Sequence, residues 1–280
     1  RAGIQLNKEP SFKGLNEIGI SNPLEYLNNI DTTQREANMF ILDNYTPSKI
    51  CERKYLSNSN GALIDMQRIA LDDWIANKHI TQNEYFYLLC SIIEAVPFVS
   101  NIAGTYGAYL KNWDKRSFKK LDLQKPQLYN NNKKNISFNK DSNELIREIS
   151  GDILYIDPPY NARQYLPNYH LLETIAKYDQ PNIRGLTGIR EYKNEKSLYC
   201  NKSAAKDALN DLISNAQFKY IILSYSDEAI ISEKIIDKLI KSYSFNLYRK
   251  LKIPYRRYKK NRNQTQEIVN ELIYIIDKRI

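Results

Sequence analysis

A short apolar run, Asp152 to Ile156, stops against Asp157-Pro158-Pro159-Tyr160, and that junction constrains the chain more than any other stretch. An apolar run of this length bounded by prolines reads as a buried strand. Two successive prolines forbid its continuation, because each fixes φ and lacks a backbone donor. Downstream, Tyr220 to Tyr225 reads as a second buried strand. Tyr169–Tyr178, Ser203–Ala216 and Glu228–Lys241 read as helices. Ser244–Leu251 and Glu271–Ile276 read as two further strands with no clear helix between them, expected to form a hairpin at the sheet edge. Strand–helix–strand alternation predicts an α/β fold with a parallel sheet and right-handed crossovers. Such sheets bind ligands beyond the carboxyl ends of their strands. Asp157 to Tyr160 would stand at that end.

The front half reads differently. Residues 1–64 are irregular and rich in Asn, with turn signals at Asn22-Pro23, Thr46-Pro47 and Asn58 to Gly61. Asp65–Trp74 reads as a helix, and a second helix starts near Thr81. Thr81 and Glu84 fit a capping box, a hydroxyl at the cap and a carboxylate three residues on. Tyr85, Leu88, Leu89, Ile92, Ile93 and Val96 then fall on one helical face, and Pro97 is expected to end or kink the helix. With 9 glycines in 280 residues and no Gly/Ser-rich stretch, long flexible connections are not expected.

The residues after the first strand suit one kind of ligand. The Asp157 carboxylate only accepts hydrogen bonds when ionised. The prolines leave carbonyls free to accept, and Tyr160 offers a flat face. Two acceptors beside an aromatic face suit a planar base carrying an exocyclic NH2. The plain alternative is a strand-ending turn with an exposed tyrosine. A second feature is the run Arg249 to Arg262, with eight Lys/Arg in fourteen residues and no acid: Arg249, Lys250, Lys252, Arg256, Arg257, Lys259, Lys260 and Arg262. Tyr248, Tyr255 and Tyr258 are interleaved. Such a run can neutralise phosphates, or it is a solvated loop of a basic protein. A weaker basic group, Lys111, Lys115, Arg116, Lys119 and Lys120, surrounds Trp113 and Phe118. The chain holds 41 Lys+Arg against 32 Asp+Glu, a formal charge of +9, which favours a polyanionic partner. Three cysteines and two histidines, widely spaced, give no disulfide framework and no metal site. His170 is read as a helix histidine making a structural hydrogen bond, and Cys51, Cys90 and Cys200 as small apolar residues.

Asp152 to Thr174, with Asp157-Pro158-Pro159-Tyr160 at its centre, resembles motif IV and the following helix of N6-adenine DNA methyltransferases, more narrowly the D12 class, a Dam-like group found in type II restriction-modification systems. Phe138-Asn139-Lys140-Asp141 resembles the segment lying along the cofactor's adenosine, and Leu223 to Asp227 resembles motif VI. Arg256 to Ile275 is similar to the family's closing hairpin. Tyr106 to Lys111 resembles part of its target-recognition region. The resemblance implies a Rossmann-like S-adenosylmethionine-dependent methyltransferase sheet with a mainly helical target-recognition insert. Residues 1–20 would be the tail of the cofactor-binding part, 21–123 the recognition region and 124–280 the catalytic domain. It further implies catalysis by Asp157, Pro158, Pro159 and Tyr160. Cofactor contacts would come from Phe138, Asn139, Asp141, Asp157 and Tyr165. DNA contacts would come from Lys111, Arg116, Arg256, Arg257, Lys259 and Lys260.

The family's Tyr-x-Gly-Gly-Lys-like segment and Phe-x-Gly-x-Gly strand end do not occur in the sequence. A chain without that cofactor half-site, which only binds DNA, is the competing expectation. N4-cytosine and RNA enzymes of similar architecture usually carry Ser or Asn in place of Asp157, so the aspartate favours adenine in DNA. The expected partners are double-stranded DNA and a cognate restriction endonuclease acting on the same site. No apolar run reaches the ~18 residues of a membrane span and no signal peptide opens the sequence, so the expected location is cytoplasmic.

Overall fold

The structure, a computed structural model, describes residues 6–33, 39–48, 50–256 and 268–278. Along the chain run α1 (Lys13–Glu17), α2 (Pro23–Asn28), α3 (Phe40–Tyr45), α4 (Asn58–Ala76), α5 (Gln82–Val99), α6 (Ser142–Leu145) and β1 (Ser150–Ile156). There follow α7 (Tyr165–Lys177), β2 (Ile183–Arg184), β3 (Ile189–Arg190), α8 (Ala205–Asn215), β4 (Gln217–Ser226), α9 (Glu233–Tyr243), β5 (Tyr248–Arg256) and β6 (Ile268–Asp277). The chain forms two compact units. One comprises Arg1–Phe138 with Tyr165–Lys193, the other Asn139–Gln164 with Asn194–Ile280. The expected boundary at 123/124 divides recognition from catalysis; the compact units divide elsewhere, and the chain enters the second unit twice.

The first unit is helical around an apolar core that includes Leu15, Leu27, Ile64, Leu71, Leu88, Ile92 and Leu171. The capping box at Thr81 forms as expected. The Glu84 amide donates to Thr81 Oγ1 at 3.3 Å, and the Thr81 amide donates to Glu84 Oε2 at 2.8 Å. Pro97 does not end α5, which continues to Val99. The irregular reading of residues 1–64 misses three short helices and the first turns of α4. Local signals are weak there because the satisfying groups come from afar. Helix α3 has no side-chain cap of its own. Buried Asp65 on α4 caps it instead, accepting from the amides of Ile41 at 2.9 Å and Leu42 at 2.8 Å. Tyr178 donates its hydroxyl to the same carboxylate at 2.7 Å. Buried Asn60 and Asn101 act likewise. Asn60 donates to the Lys119 carbonyl and accepts from the Leu121 amide, while Asn101 donates to the Leu110 carbonyl and accepts from the Asp114 amide. These side chains give the irregular 101–123 stretch the backbone partners that a strand would have supplied.

The second unit is mixed α/β. Its strands lie in the order β1-β4-β6-β5. β1 and β4 are parallel, with Ile156 opposite Leu223, whereas β6 is antiparallel to both β4 and β5. The hairpin expected at the sheet edge is β5–β6. Pro254 sits in β5, an edge strand among the described residues, where a missing amide is tolerated. β1 is parallel as expected, but it also lies at an edge of the described sheet, and Ile153 and Tyr155 are exposed rather than buried. Helices α8 and α9 pack through Leu209, Leu212, Ile213, Ile236 and Ile240 with Ile221, Leu223, Leu272, Tyr274 and Ile276 of the sheet. Residues 228–232 precede α9 and do not belong to it. Among the described residues, no helix is long and apolar enough to cross a membrane, and no group of three His, Cys, Asp or Glu could hold a metal ion.

His170 lies wholly inside the first unit. Its Nε2–H donates to the Tyr106 carbonyl at 2.8 Å, and the rings of Tyr45 and Tyr55 flank it. Burial pulls its pKa from 6.5 down to about 4. The unfolded chain therefore binds the proton more tightly, and this group's stabilisation is lost as pH falls from 6.5 towards 4. At ~1.4 kcal/mol per unit, the full loss is up to about 3 kcal/mol. His170→Gln abolishes the titration. The stability gap between wild type and variant should accordingly shrink as pH falls through that window, measured by urea unfolding at a series of pH values. A gap independent of pH would refute the assignment.

Candidate active site

The parallel register brings the carboxyl ends of β1 and β4 together. The loop Asp157–Tyr160 leaves β1 directly after buried Ile156, which pairs with Leu223. Pro158 is buried, Pro159 and Tyr160 are half-buried, and Asp157 is exposed. The loop is fixed by its backbone: the Ile230 amide, from the turn after β4, donates to the Tyr160 carbonyl at 2.9 Å. The Tyr160 ring meets Tyr225 edge-on, with centroids 6.5 Å apart at 79°. The Tyr160 ring is thus braced against the sheet. The Asp157 carboxylate accepts no hydrogen bond from any described residue, so both its oxygens are available to a ligand.

A cleft of about 330 Å³ opens beside this loop. Leu145, Ile146 and Ile149 line it from α6 and the turn that follows, Leu154 to Pro159 from β1 and the loop, and Tyr199 and Leu212 from the opposite side. Its walls are largely apolar, with Asp157 as the one carboxylate among the lining residues. A polar network sets the wall. Tyr199 donates its hydroxyl to Asn143 Oδ1 at 2.8 Å. Asn143 in turn donates to the Ala208 carbonyl and to Asp211, each at 2.8 Å. Arg147 closes the network on Asp211 at 2.6 Å. Burial pushes the Tyr199 hydroxyl up to about 12, so it stays protonated as the donor. Gln164 and Ser197 exchange two hydrogen bonds, the Ser197 amide donating to the Gln164 side chain at 2.8 Å and that side chain donating to the Ser197 carbonyl at 3.1 Å.

The residues singled out in the sequence are distributed unevenly. Asp157, Pro158 and Pro159 line the cleft. Asp141 caps α6, accepting from the amides of Asn143 and Glu144, and Asn139 is exposed two residues before it. Phe138 and Tyr165 belong to the first unit, where both are exposed and Tyr165 stacks on Tyr169 at 6.3 Å. Tyr199, Asn143, Ile146 and Leu212 were not legible as site residues. Their one sequence signal is the spacing of Asp141 and Glu144, a capping pattern that fixes α6.

The basic run divides in two. Lys250 pairs with Glu233 at 2.7 Å and Asp237 at 2.8 Å, and Lys252 pairs with Glu233 at 3.0 Å, so both tie β5 to α9. Arg249 and Arg256 remain exposed on β5. Arg257, Lys259, Lys260 and Arg262 lie outside the described residues. In the other basic group, Lys111 is exposed. The Arg116 guanidinium is engaged within its own unit, on Asp114 and the Ile102 carbonyl.

Comparison with known proteins gives a consistent outcome. The sequence model of the D12 class N6 adenine-specific DNA methyltransferases matches residues 27–239. The chain is 47% identical over 281 residues to the type II methyltransferase M.FokI of Planomicrobium okeanokoites, covering 100% of this chain and 43% of that protein. It is 44% identical to the modification methylase StsI of Streptococcus sanguinis, covering 98% of this chain and 42% of the relative. With the type II methyltransferase M.NlaIII of Neisseria lactamica it shares 39% identity over 242 residues, 85% of this chain and 71% of the relative. The chain thus spans less than half the length of the first two. No solved structure matches.

Asn143 joins three elements of the cleft wall. Asn143→Ala should cost ~1–3 kcal/mol, the usual range for orphaning buried polar partners. The check is a lower urea midpoint with an unchanged m-value. An unmoved midpoint would show that the network does not hold the wall.

Proposed function

The chain belongs to the D12 class of N6 adenine-specific DNA methyltransferases, and on that premise we propose that it methylates N6 of an adenine extruded from duplex DNA, at a specific site. The observation that carries the reading is the free Asp157 carboxylate lining an apolar cleft, with the Tyr160 ring, braced against Tyr225, three residues on. The cleft residues fit the adenine and the sulfonium of S-adenosylmethionine. The apolar walls suit a purine, and the carboxylate suits a neighbouring cation. When bound there, that cofactor supplies an electrophilic methyl group.

The remaining work falls to the chain. Adenine N6 is a poor nucleophile because its lone pair is delocalised into the ring. The Asp157 carboxylate and the Pro158 carbonyl accept its two N–H bonds and thereby localise the pair on nitrogen. Both acceptors are preorganised by the loop, so orientation supplies much of the rate. Tyr160 stacks on the extruded base, worth ~1–3 kcal/mol by analogy with single-strand binders. Extrusion itself is required because N6 is inaccessible in the stack. The second unit would be the Rossmann-like catalytic part, and the helical region 21–123 the target-recognition insert. Phe138, Asn139, Asp141 and Tyr165 would complete the cofactor contacts. Exposed Lys111 and Arg256, with Arg257, Lys259 and Lys260 outside the described residues, would contact DNA phosphates, and Arg116 would hold the loop that carries Lys111. A cognate restriction endonuclease cutting the same site would be the partner enzyme in the cell.

Asp157→Ala should lower the single-turnover rate by ~10²–10³, the usual effect of deleting one preorganised electrostatic partner. Asp157→Asn should be nearly as damaging, because it turns an amide donor towards the NH2 group. Tyr160→Phe should keep most activity and Tyr160→Ala much less. The assay is methyl incorporation into DNA followed by nucleoside analysis. N4-methylcytosine as product, or a Tyr160→Phe variant as inactive as Asp157→Ala, would sink the reading. For the basic strand, Arg256→Ala should flatten the salt dependence of DNA binding by about 0.9 log units for each phosphate the arginine neutralises. Lys250→Met should leave that slope alone while lowering the melting temperature. Equal slopes for wild type and Arg256→Ala would exclude the phosphate interaction.

A further inference from the structure

The chain leaves the catalytic unit after Gln164 and re-enters it at Asn194. Residues 161–164 and 194–197 lie in no strand, so no ladder joins the two passages there. A side chain takes that part. The Gln164 amide accepts from the Ser197 N–H at 2.8 Å and donates to the Ser197 carbonyl at 3.1 Å. A glutamine carries an acceptor and a donor side by side, as a peptide group does. Here it pairs with both backbone groups of one residue, as a strand neighbour would. The polarity of Ser197 fixes which way the amide faces, because a flipped amide would set donor against donor. One position earlier, the Cys200 thiol donates to the Arg163 carbonyl at 3.3 Å.

Both ends of this clamp belong to the cleft's framework. Gln164 closes the loop that Asp157 opens. The pairing of β1 holds the loop's start, the Ile230 amide holds the Tyr160 carbonyl at 2.9 Å, and Gln164 holds its end. Ser197 and Tyr199 line the cleft with Asp157, whereas Gln164 does not. Ser197 caps the short 3₁₀ turn Leu198–Cys200 by accepting from the Tyr199 amide at 3.2 Å. The Tyr199 hydroxyl is in turn fixed on Asn143 at 2.8 Å. No hydrogen bond among the described residues aims the Asp157 carboxylate, so its direction follows from where its backbone is held. A side chain outside the cleft therefore sets the span between the carboxylate and the wall formed by Ser197 and Tyr199.

We propose that Gln164 is a positioning residue, the tie that holds the Asp157 loop and the Ser197–Tyr199 wall at the separation a flat base requires. The proposal rests on the methyltransferase reading above and takes the adenine of S-adenosylmethionine as the ligand between them. Gln164 acts through the Ser197 backbone and the end of the loop, with no ligand contact of its own. Preorganised sites respond steeply to such ties, since a displacement of ~1 Å can cost ~10²-fold.

The test uses the protein expressed from its complete gene, with S-adenosylmethionine affinity measured by equilibrium dialysis over a pH series. Gln164→Met keeps the side chain's length and loses both hydrogen bonds. It should weaken binding ~10-fold or more at every pH. Gln164→Glu is the sharper variant. Its ionised carboxyl still accepts from the Ser197 amide but sets a negative oxygen against the Ser197 carbonyl. Once protonated, it donates to that carbonyl as the amide does. A free carboxyl of this kind titrates near ~4.3, and the facing carbonyl raises that value. The deficit of Gln164→Glu relative to wild type should therefore shrink from ~10-fold at pH ~7 to within about twofold at pH ~5. Arg163 and Lys196 flank the clamp in sequence and are common to both proteins, so their charges cancel in the ratio. Burial raises the Cys200 thiol, which stays protonated throughout. A tie that only supported the fold would lower the urea midpoint of both variants and leave the affinity ratio independent of pH. That result, or equal affinities for wild type and both variants, would overturn the positioning role. A wild-type protein that binds no S-adenosylmethionine would overturn the methyltransferase reading itself, and the tie with it.

Discussion

Parallel pairing of β1 with β4 forces both strands to end on the same side, and the residues assigned to methyl transfer hang from that side. Ile156 opposite Leu223 fixes the register. A shift of one residue would turn Asp157 and Tyr160 to the other face. The pairing also lets the turn after β4 reach the loop after β1, where the Ile230 amide meets the Tyr160 carbonyl. The prolines remove donors from a loop proposed to present acceptors. Geometry, hydrogen-bond polarity and stacking face all follow from one strand register and one tetrapeptide.

The helical unit depends on the opposite strategy. Its irregular segments gain order by borrowing polar side chains across long sequence separations. Asp65 caps a helix 24 residues upstream, and Asn60 supplies backbone partners 57 to 61 residues downstream. Tyr45, Arg53 and Tyr55 do the same for the tip of the β2–β3 hairpin more than a hundred residues later. A unit assembled in this way has few regular ladders, and polar side chains supply backbone partners in their place.

That contrast explains what was readable. The strands, the DPPY loop and the capping box at Thr81 were legible because each is a local pattern; His170 was read as structural from its place on a helix, although its partner, the Tyr106 carbonyl, is distant in sequence. The short helices before residue 64 and the hairpin β2–β3 were not. An asparagine that bridges two distant segments looks, in sequence, like an asparagine in a turn. The apolar wall of the cleft was equally hidden. Ile146, Tyr199 and Leu212 come from three separate elements, and nothing in their spacing announces a shared surface. β1 was read as buried from its composition, yet it lies at the edge of the described sheet, because apolar content reports what a strand needs covered and not what covers it.

The basic run Arg249–Arg262 shows why charge cannot be read as a block. A strand sends alternate side chains to opposite faces. Lys250 and Lys252, two apart, therefore share a face, and that face meets Glu233 and Asp237 of α9. Their charges are consumed in holding β5 to the helix behind it. Arg249, one residue out of phase, is exposed. The run that appeared uniformly available to phosphates thus contains a structural half set by strand period alone. Only the part free of acidic neighbours can release counterions on binding DNA. In a β-strand, period decides which charges of a run remain available to a partner.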